Sequence, residues 1–213
     1  MNLDAKKREA TTDMLNVLLV TALQAEQISL PKSLFRTSTL ITGVGKVPAT
    51  YSLARVLNVM RPQLVLNVGS AGTVRYEPGD VLVCRDFVDR NLLGLEIESV
   101  PAHIESTVPD LFELPPSVVK GVEDREVCPV CATGDSFVTK EEEACGDVVD
   151  MEAFAMAYVC QQAGIDFLSV KCVTDVVGRN SIGLWEERLA EARHTLHEYF
   201  ERYGHVLAAN YGD

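Results

Sequence analysis

The chain has 213 residues, 47% of them hydrophobic, enough to fill the core of one ordinary domain or two small ones. Its 19 basic and 31 acidic residues leave a net charge of −12, which argues against nucleic-acid binding, where Lys and Arg must neutralise phosphates. No apolar run approaches the roughly 18–20 residues that span a bilayer, and the polar start MNLDAKKREATTDM has no apolar signal core, so a cytoplasmic protein without membrane partners is expected.

Residues 1–14 read as a polar N-terminal extension, and 15–213 as one domain without repeats or composition breaks. NVLLVTA (16–22) is a short continuous apolar run, the pattern of a strand buried on both faces. Similar runs follow at STLITG (38–43), QLVLNVG (63–69), DVLVCRDFV (80–88) and FLSVKCVT (167–174). EVCPVCAT (126–133) is a weaker strand, because Pro129 would interrupt a central ladder. Between them lie helical patterns. ATYSLARVLNVM (49–60) sets Leu53, Val56, Leu57 and Met60 on one face, with Pro48 at its start. MEAFAMAYVCQQAG (151–164) is apolar nearly all round and ends on Gly164 as a C-cap, and residues 184–207 form an amphipathic helix. Residues 89–125 hold four prolines and read as an irregular excursion. Alternating buried strands and helices predict a single-domain three-layer α/β/α fold around a mixed, mostly parallel sheet.

In such sheets ligands bind at the carboxyl ends of strands, so the loops there are where chemistry is expected. Gly43-Val44-Gly45-Lys46 ends one strand but lacks the third glycine of a dinucleotide loop and the ending of a P-loop, which leaves a tight turn. Gly69-Ser70-Ala71-Gly72 could bring backbone N–H groups close to a ligand. Acidic residues in apolar surroundings are the second clue. Glu26 follows the first strand, Asp150 and Glu152 flank Met151 at the head of an apolar helix, and Asp175 follows the last strand. A buried carboxylate is costly unless paired or used, and several at the ends of separate strands suit acid–base chemistry. Cys128-Pro-Val-Cys131 is a lone pair without the two further ligands of a structural zinc site. The six cysteines read as small buried hydrophobes in a reducing compartment. His194 and His197, three apart on the last helix, read as surface histidines.

Taken in order, VTALQAEQ, ITGVGKVPAT, LNVGSAG followed by EPGDVLV, ATGDSFV, VVDMEAFAMAYVC and VKCVTDVV resemble the nucleoside phosphorylase/nucleosidase superfamily. They are most similar to its methylthioadenosine/S-adenosylhomocysteine nucleosidases, over residues 16–207. The resemblance implies that Glu26 activates water against the anomeric carbon. It implies that Asp175 protonates the purine's imidazole-ring nitrogen and bonds its exocyclic amine. Met151 and Glu152 would grip the ribose, Glu152 through both hydroxyls. Phe137 would stack on the base, the Val138 backbone would read its edge, Ser70 would help place water or sugar, and Trp185 would cover the 5′ substituent. Ala71, Gly72, Lys171 and Thr174 fall in the same substrate-binding set. The resemblance implies a homodimer acting on a small nucleoside, with no cofactor and no metal.

Phosphorylases of the superfamily need cationic phosphate ligands, and arginine is the expected bidentate one. Asn67 and the TALQAE segment stand at those positions, and Glu26 would repel phosphate, so a hydrolase releasing adenine is expected. Futalosine, a 6-oxopurine nucleoside or a nucleotide is the alternative substrate, and a binding protein without catalysis the alternative role. Two departures accompany the resemblance. Lys171 replaces an arginine common near the catalytic water, and the 27–42 segment is about half the usual length, as though a hairpin were missing.

Overall fold

The computed structural model describes residues 14–95, 97, 99–121, 128–179 and 182–211. The expected N-terminal extension therefore lies, Met14 apart, outside the described residues. The strands are β1 (Leu15–Thr21), β2 (Phe35–Ile41), β3 (Leu64–Thr73), β4 (Val81–Cys84), β5 (Asp86–Asp89), β6 (His103–Glu105), β7 (Val130–Thr133), β8 (Val148–Asp150) and β9 (Asp166–Val176). The helices are α1 (Lys46–Leu57), α2 (Ala153–Ala163) and α3 (Ile182–Ala209).

All nine strands join one sheet in the order β2-β1-β3-β8-β7-β5-β6, with β9 beside β3 and β4 beside β9. The pairs β1–β2, β1–β3, β3–β9, β5–β7 and β7–β8 are parallel, and β3–β8, β4–β9 and β5–β6 are antiparallel. The expected mixed, mostly parallel sheet is present. Its continuous apolar strands follow from burial on both faces. Leu18 and Val20 of β1 pack with α1 and α2 through Leu53, Met156 and Ala157. Leu15, Val17 and Leu19 point the other way, into a core completed by Leu196, Phe200 and Leu207 of α3. Those two cores make the three layers. Among the described residues no helix is long and apolar enough to cross a membrane.

Several expected boundaries move. The run 80–88 is two strands rather than one: the chain changes partner at Arg85, β4 pairing with β9 and β5 with β7. The run 38–43 forms the edge strand β2, whose middle residues 36–39 are exposed rather than buried on both faces. Helix α1 begins at Lys46, so Pro48 lies inside its first turn, and Met60 falls beyond its end. The 89–125 excursion contains β6, and β8 was hidden in three residues ahead of α2. Gly69–Gly72 and Thr174–Asp175 are not loops after their strands. They are the carboxyl-terminal residues of β3 and β9, paired with each other across a register shift between Ala71 and Gly72.

Helix α2 ends as its sequence requires. Gly164 adopts a left-handed conformation (φ 62°), and its N–H reaches the carbonyls of Cys160 and Gln161. A Cβ at this position would meet nothing within 4 Å, so substitution costs only backbone strain. Gly164→Ala should lower unfolding free energy by about 1–2 kcal/mol in chemical denaturation, with no change in the slope against denaturant.

Candidate active site

The carboxyl ends of β1, β3, β7 and β9 surround a cavity of about 250 Å³. Glu26 sits at the end of a short 3-10 turn, Gln24–Glu26, directly after β1. Its carboxylate is held by three donors. The Leu23 N–H reaches Oε2 at 3.1 Å, and the Ser70 N–H and hydroxyl reach Oε1 at 3.0 and 2.9 Å. The Ser70 hydroxyl in turn accepts the Trp185 indole N–H at 3.1 Å. Gly69 permits this approach, since a Cβ there would stand 3.0 Å from Glu26 Oε1.

A buried ion pair forms part of the cavity wall. Lys171 Nζ is 2.8 Å from Asp150 Oδ2, with the two residues 2% and 8% exposed. Asp150 also accepts the Thr133 hydroxyl at 2.6 Å and the Ala153 N–H at 2.9 Å. Burial alone would raise the Asp150 carboxyl, but Lys171 and these donors hold it below its usual range. Burial alone would likewise lower Lys171, but the facing Asp150, with Cys131 and Glu152, keeps it above its ordinary value.

The neighbouring acids have the opposite character. Glu152 accepts the Gly45 N–H at 2.7 Å, and burial, then the nearby Asp150 charge, push it up to about 7. The glycine turn 43–46 thus serves Glu152, while Lys46 pairs with Asp89 at 2.9 Å. Burial also raises Asp175, against the Thr174 hydroxyl bond at 2.9 Å and the Arg188 charge. Gly72 makes room for it: a Cβ there would stand 2.8 Å from Asp175 Oδ2.

Of the residues singled out from sequence, Glu26, Ser70, Gly72, Phe137 and Val138 line this cavity. Met151, Glu152, Lys171, Asp175 and Trp185 line it too. Two do not. Ala71 is buried in the core on the α1–α2 side, and Thr174 acts through Asp175. Asn67 lines the cavity but spends its amide on the Val20 carbonyl and the Ser169 hydroxyl. His194, 3.3 Å from Glu198, and His197, bonded to the Ser29 carbonyl, lie elsewhere. Sequence reasoning missed Arg90. It leaves the end of β5 and binds the Ser136 hydroxyl, the Gly134 carbonyl and the Ser136 carbonyl, clamping the turn that presents Phe137. Gly134 is required there, because a Cβ would fall 2.6 Å from Arg90 Nε. A cation directly after a strand that ends at the site was the available signal.

A family model described as the phosphorylase superfamily matches residues 28–203. The chain belongs to the phosphorylase superfamily. A 5′-methylthioadenosine/S-adenosylhomocysteine nucleosidase of Geobacillus sp. is 32% identical over 172 residues, covering 72% of this chain and 73% of the relative. The enzyme of the same description from Colwellia psychrerythraea is 29% identical over 174 residues, 71% of each. The crystal structure of a Colwellia psychrerythraea nucleosidase with adenine superposes with a TM-score of 0.70 at 20% identity, covering 90% of this chain and 97% of that one. Futalosine hydrolase of Helicobacter pylori superposes with a TM-score of 0.69 at 17% identity, covering 88% and 96%. These likenesses bear out the expected fold of the superfamily.

The raised Glu152 carboxyl makes this site costly to ionise. Between about pH 4.5 and 7 the folded state holds a proton that the unfolded chain releases, so this contribution to stability is present below pH 4.5 and lost as pH rises through 7. Asp175 acts in the same direction. Denaturation midpoints across this window should fall less steeply with pH in Glu152→Gln than in the parent protein.

Proposed function

We propose that the protein hydrolyses the N-glycosidic bond of an adenine nucleoside with a 5′ substituent, of the methylthioadenosine, S-adenosylhomocysteine or 5′-deoxyadenosine kind. Adenine and the substituted ribose are the products. The observation that carries this reading is the pair Glu26 and Asp175, two carboxyl groups in opposite environments lining one cavity. Glu26, whose oxygens face three donors, takes the proton of a water attacking the anomeric carbon. Asp175, raised by burial, keeps a proton to give the departing purine. Bond cleavage builds positive charge on the sugar and negative charge on the base, and these two groups meet both demands. Glu152 accepts the ribose hydroxyls, Phe137 stacks on the base and the Val138 backbone reads its edge. Lys171, tied to Asp150, keeps the ribose-binding segment Met151–Glu152 in place.

Water as nucleophile is supported by the cavity's cations. Lys171 is paired with Asp150, and both terminal nitrogens of Arg90 are bonded to acceptors of the 134–136 turn, which leaves only its buried Nε without a partner. The same reading includes a cytoplasmic homodimer. Val44 both lines the cavity and is 44% exposed, and beside it Val47 (76%) and Tyr51 (63%) present an apolar surface on α1. A second copy covering that surface would close the 5′ end of the site.

Free base should appear from the adenine thioethers equally fast with and without phosphate. Strict phosphate dependence with ribose-1-phosphate as product would overturn hydrolysis, and turnover confined to futalosine or 6-oxopurine nucleosides would overturn the substrate class. Glu26→Gln and Asp175→Asn should each lower the rate by about 10²-fold or more. Light scattering should give a dimer that Val47→Asp shifts toward monomer; an active monomeric parent protein would refute the assembly.

A further inference from the structure

At the opposite end of β5 and β7 from the cavity, metal-binding donors of several types converge. Asp86 opens β5 and Glu105 closes β6, and the antiparallel register places them directly opposite each other. His103 lies on the same face of β6, two residues before Glu105, with its Nε2 3.1 Å from Asp86 Oδ1. One donor atom from each of these three residues lies within 4.8 Å of the other two. Cys128, two residues ahead of β7, sets its Sγ 3.7 Å from Asp86 Oδ2, the second oxygen of the same carboxylate.

We propose that Asp86, His103, Glu105 and Cys128 form a binding site for a divalent transition metal of the zinc type. The donor set selects the ion: imidazole and thiol beside two carboxylates suit zinc or cobalt, whereas magnesium and calcium require oxygen throughout. The spacing fits as well. Ligand atoms 2.0–2.3 Å from a tetrahedral ion stand about 3.3–3.8 Å from one another; Asp86, His103 and Glu105 already offer donor atoms within 4.8 Å of each other, while Cys128 stands outside that group, 3.7 Å from the other Asp86 oxygen, and must turn toward it to complete the set. A cation also resolves a conflict in the strand pairing, because two carboxylates directly opposite on neighbouring strands repel. His103, Glu105 and Cys128 are exposed, which gives an ion a path of entry. Cys131 takes no part: it is buried beside Cys84, so the pair of cysteines in the CPVC motif is divided between the surface and the core. On binding, the Cys128 thiol gives up its proton to solvent, and the ion ties the edge hairpin β5–β6 to the segment entering β7.

The test uses the full chain stripped of metal and titrated with Co²⁺ and then Zn²⁺. One equivalent of cobalt per chain should bind with a thiolate charge-transfer band in the near ultraviolet, and zinc should displace it. Cys128→Ser should abolish that band, and His103→Ala should weaken binding at least about tenfold. Zinc should also slow modification of Cys128 by a thiol reagent in the parent protein but not in His103→Ala. Thermal unfolding and nucleoside turnover of each metal-free variant, both unchanged, would show that the fold and the cavity survive. Absence of a saturable equivalent, or binding that persists unchanged in the Asp86→Asn/His103→Ala double variant, overturns the site. Cobalt binding with no band sensitive to Cys128→Ser overturns ligation by the thiol.

Discussion

The ion pair between Lys171 and Asp150 is the contact on which the rest of the site depends. Strands β8 and β9 are not neighbours in the sheet; each pairs with β3. Lys171 bridges them with a 2.8 Å contact, and the same Asp150 carboxylate gathers the Thr133 hydroxyl from β7 and the first N–H of α2. One side chain therefore ties together the ends of β7 and β8, the middle of β9 and the start of α2. Two charges withdrawn from water at this depth are tolerable only as a pair with their remaining valences filled, and removing one partner of such a pair typically costs about 3–5 kcal/mol. The reward is positional: Met151 and Glu152, which follow Asp150 directly, are held at the cavity wall.

That pair also acts on the nearest acid, while the other two answer to their own surroundings. Asp150 holds its negative charge beside Lys171, so Glu152, buried nearby, meets both desolvation and a like charge and rises to about 7. Asp175 rises by burial, which outweighs the Thr174 hydroxyl bond and the Arg188 charge. Glu26 faces three hydrogen-bond donors instead. Chemically similar side chains thereby sit in different surroundings, as the tasks proposed for them require. The glycines complete the arrangement, because Gly69 and Gly72 let carboxylates lie against the β3 backbone where any side chain would intrude.

Much of this was legible in the sequence, and the rest was not for identifiable reasons. Buried central strands show as unbroken apolar runs, so β1, β3 and β9 were evident, and ten of the proposed site residues line one cavity. Small and polar residues at strand ends suggest loops, yet GSAG and TD stay within β3 and β9 because those strands pair with each other to their ends. A change of partner leaves apolar periodicity intact, so the break at Arg85 was invisible. Strand β8, at three residues, is too short to carry a pattern. Arg90 was missed because its role depends on a turn 44 residues away.

The stretch after Glu26 follows a related logic. After Glu26 the chain runs through a turn closed by the Leu34 N–H to the Pro31 carbonyl and enters β2 directly. Ile28, Leu30 and Phe35 anchor this route in the core beneath α3, and Gly204 of that helix is small enough to receive the Phe35 ring. The sheet consequently ends on β2, where Arg36, Thr37, Ser38 and Thr39 leave a polar edge that discourages strand addition. Apolar exposure is displaced to Ile41, Val44, Val47 and Tyr51, at and beyond the end of that strand. In the proposed reaction the buried Glu26 and Asp175 break the bond, and these exposed side chains are the surfaces that would meet a 5′ substituent or a second copy.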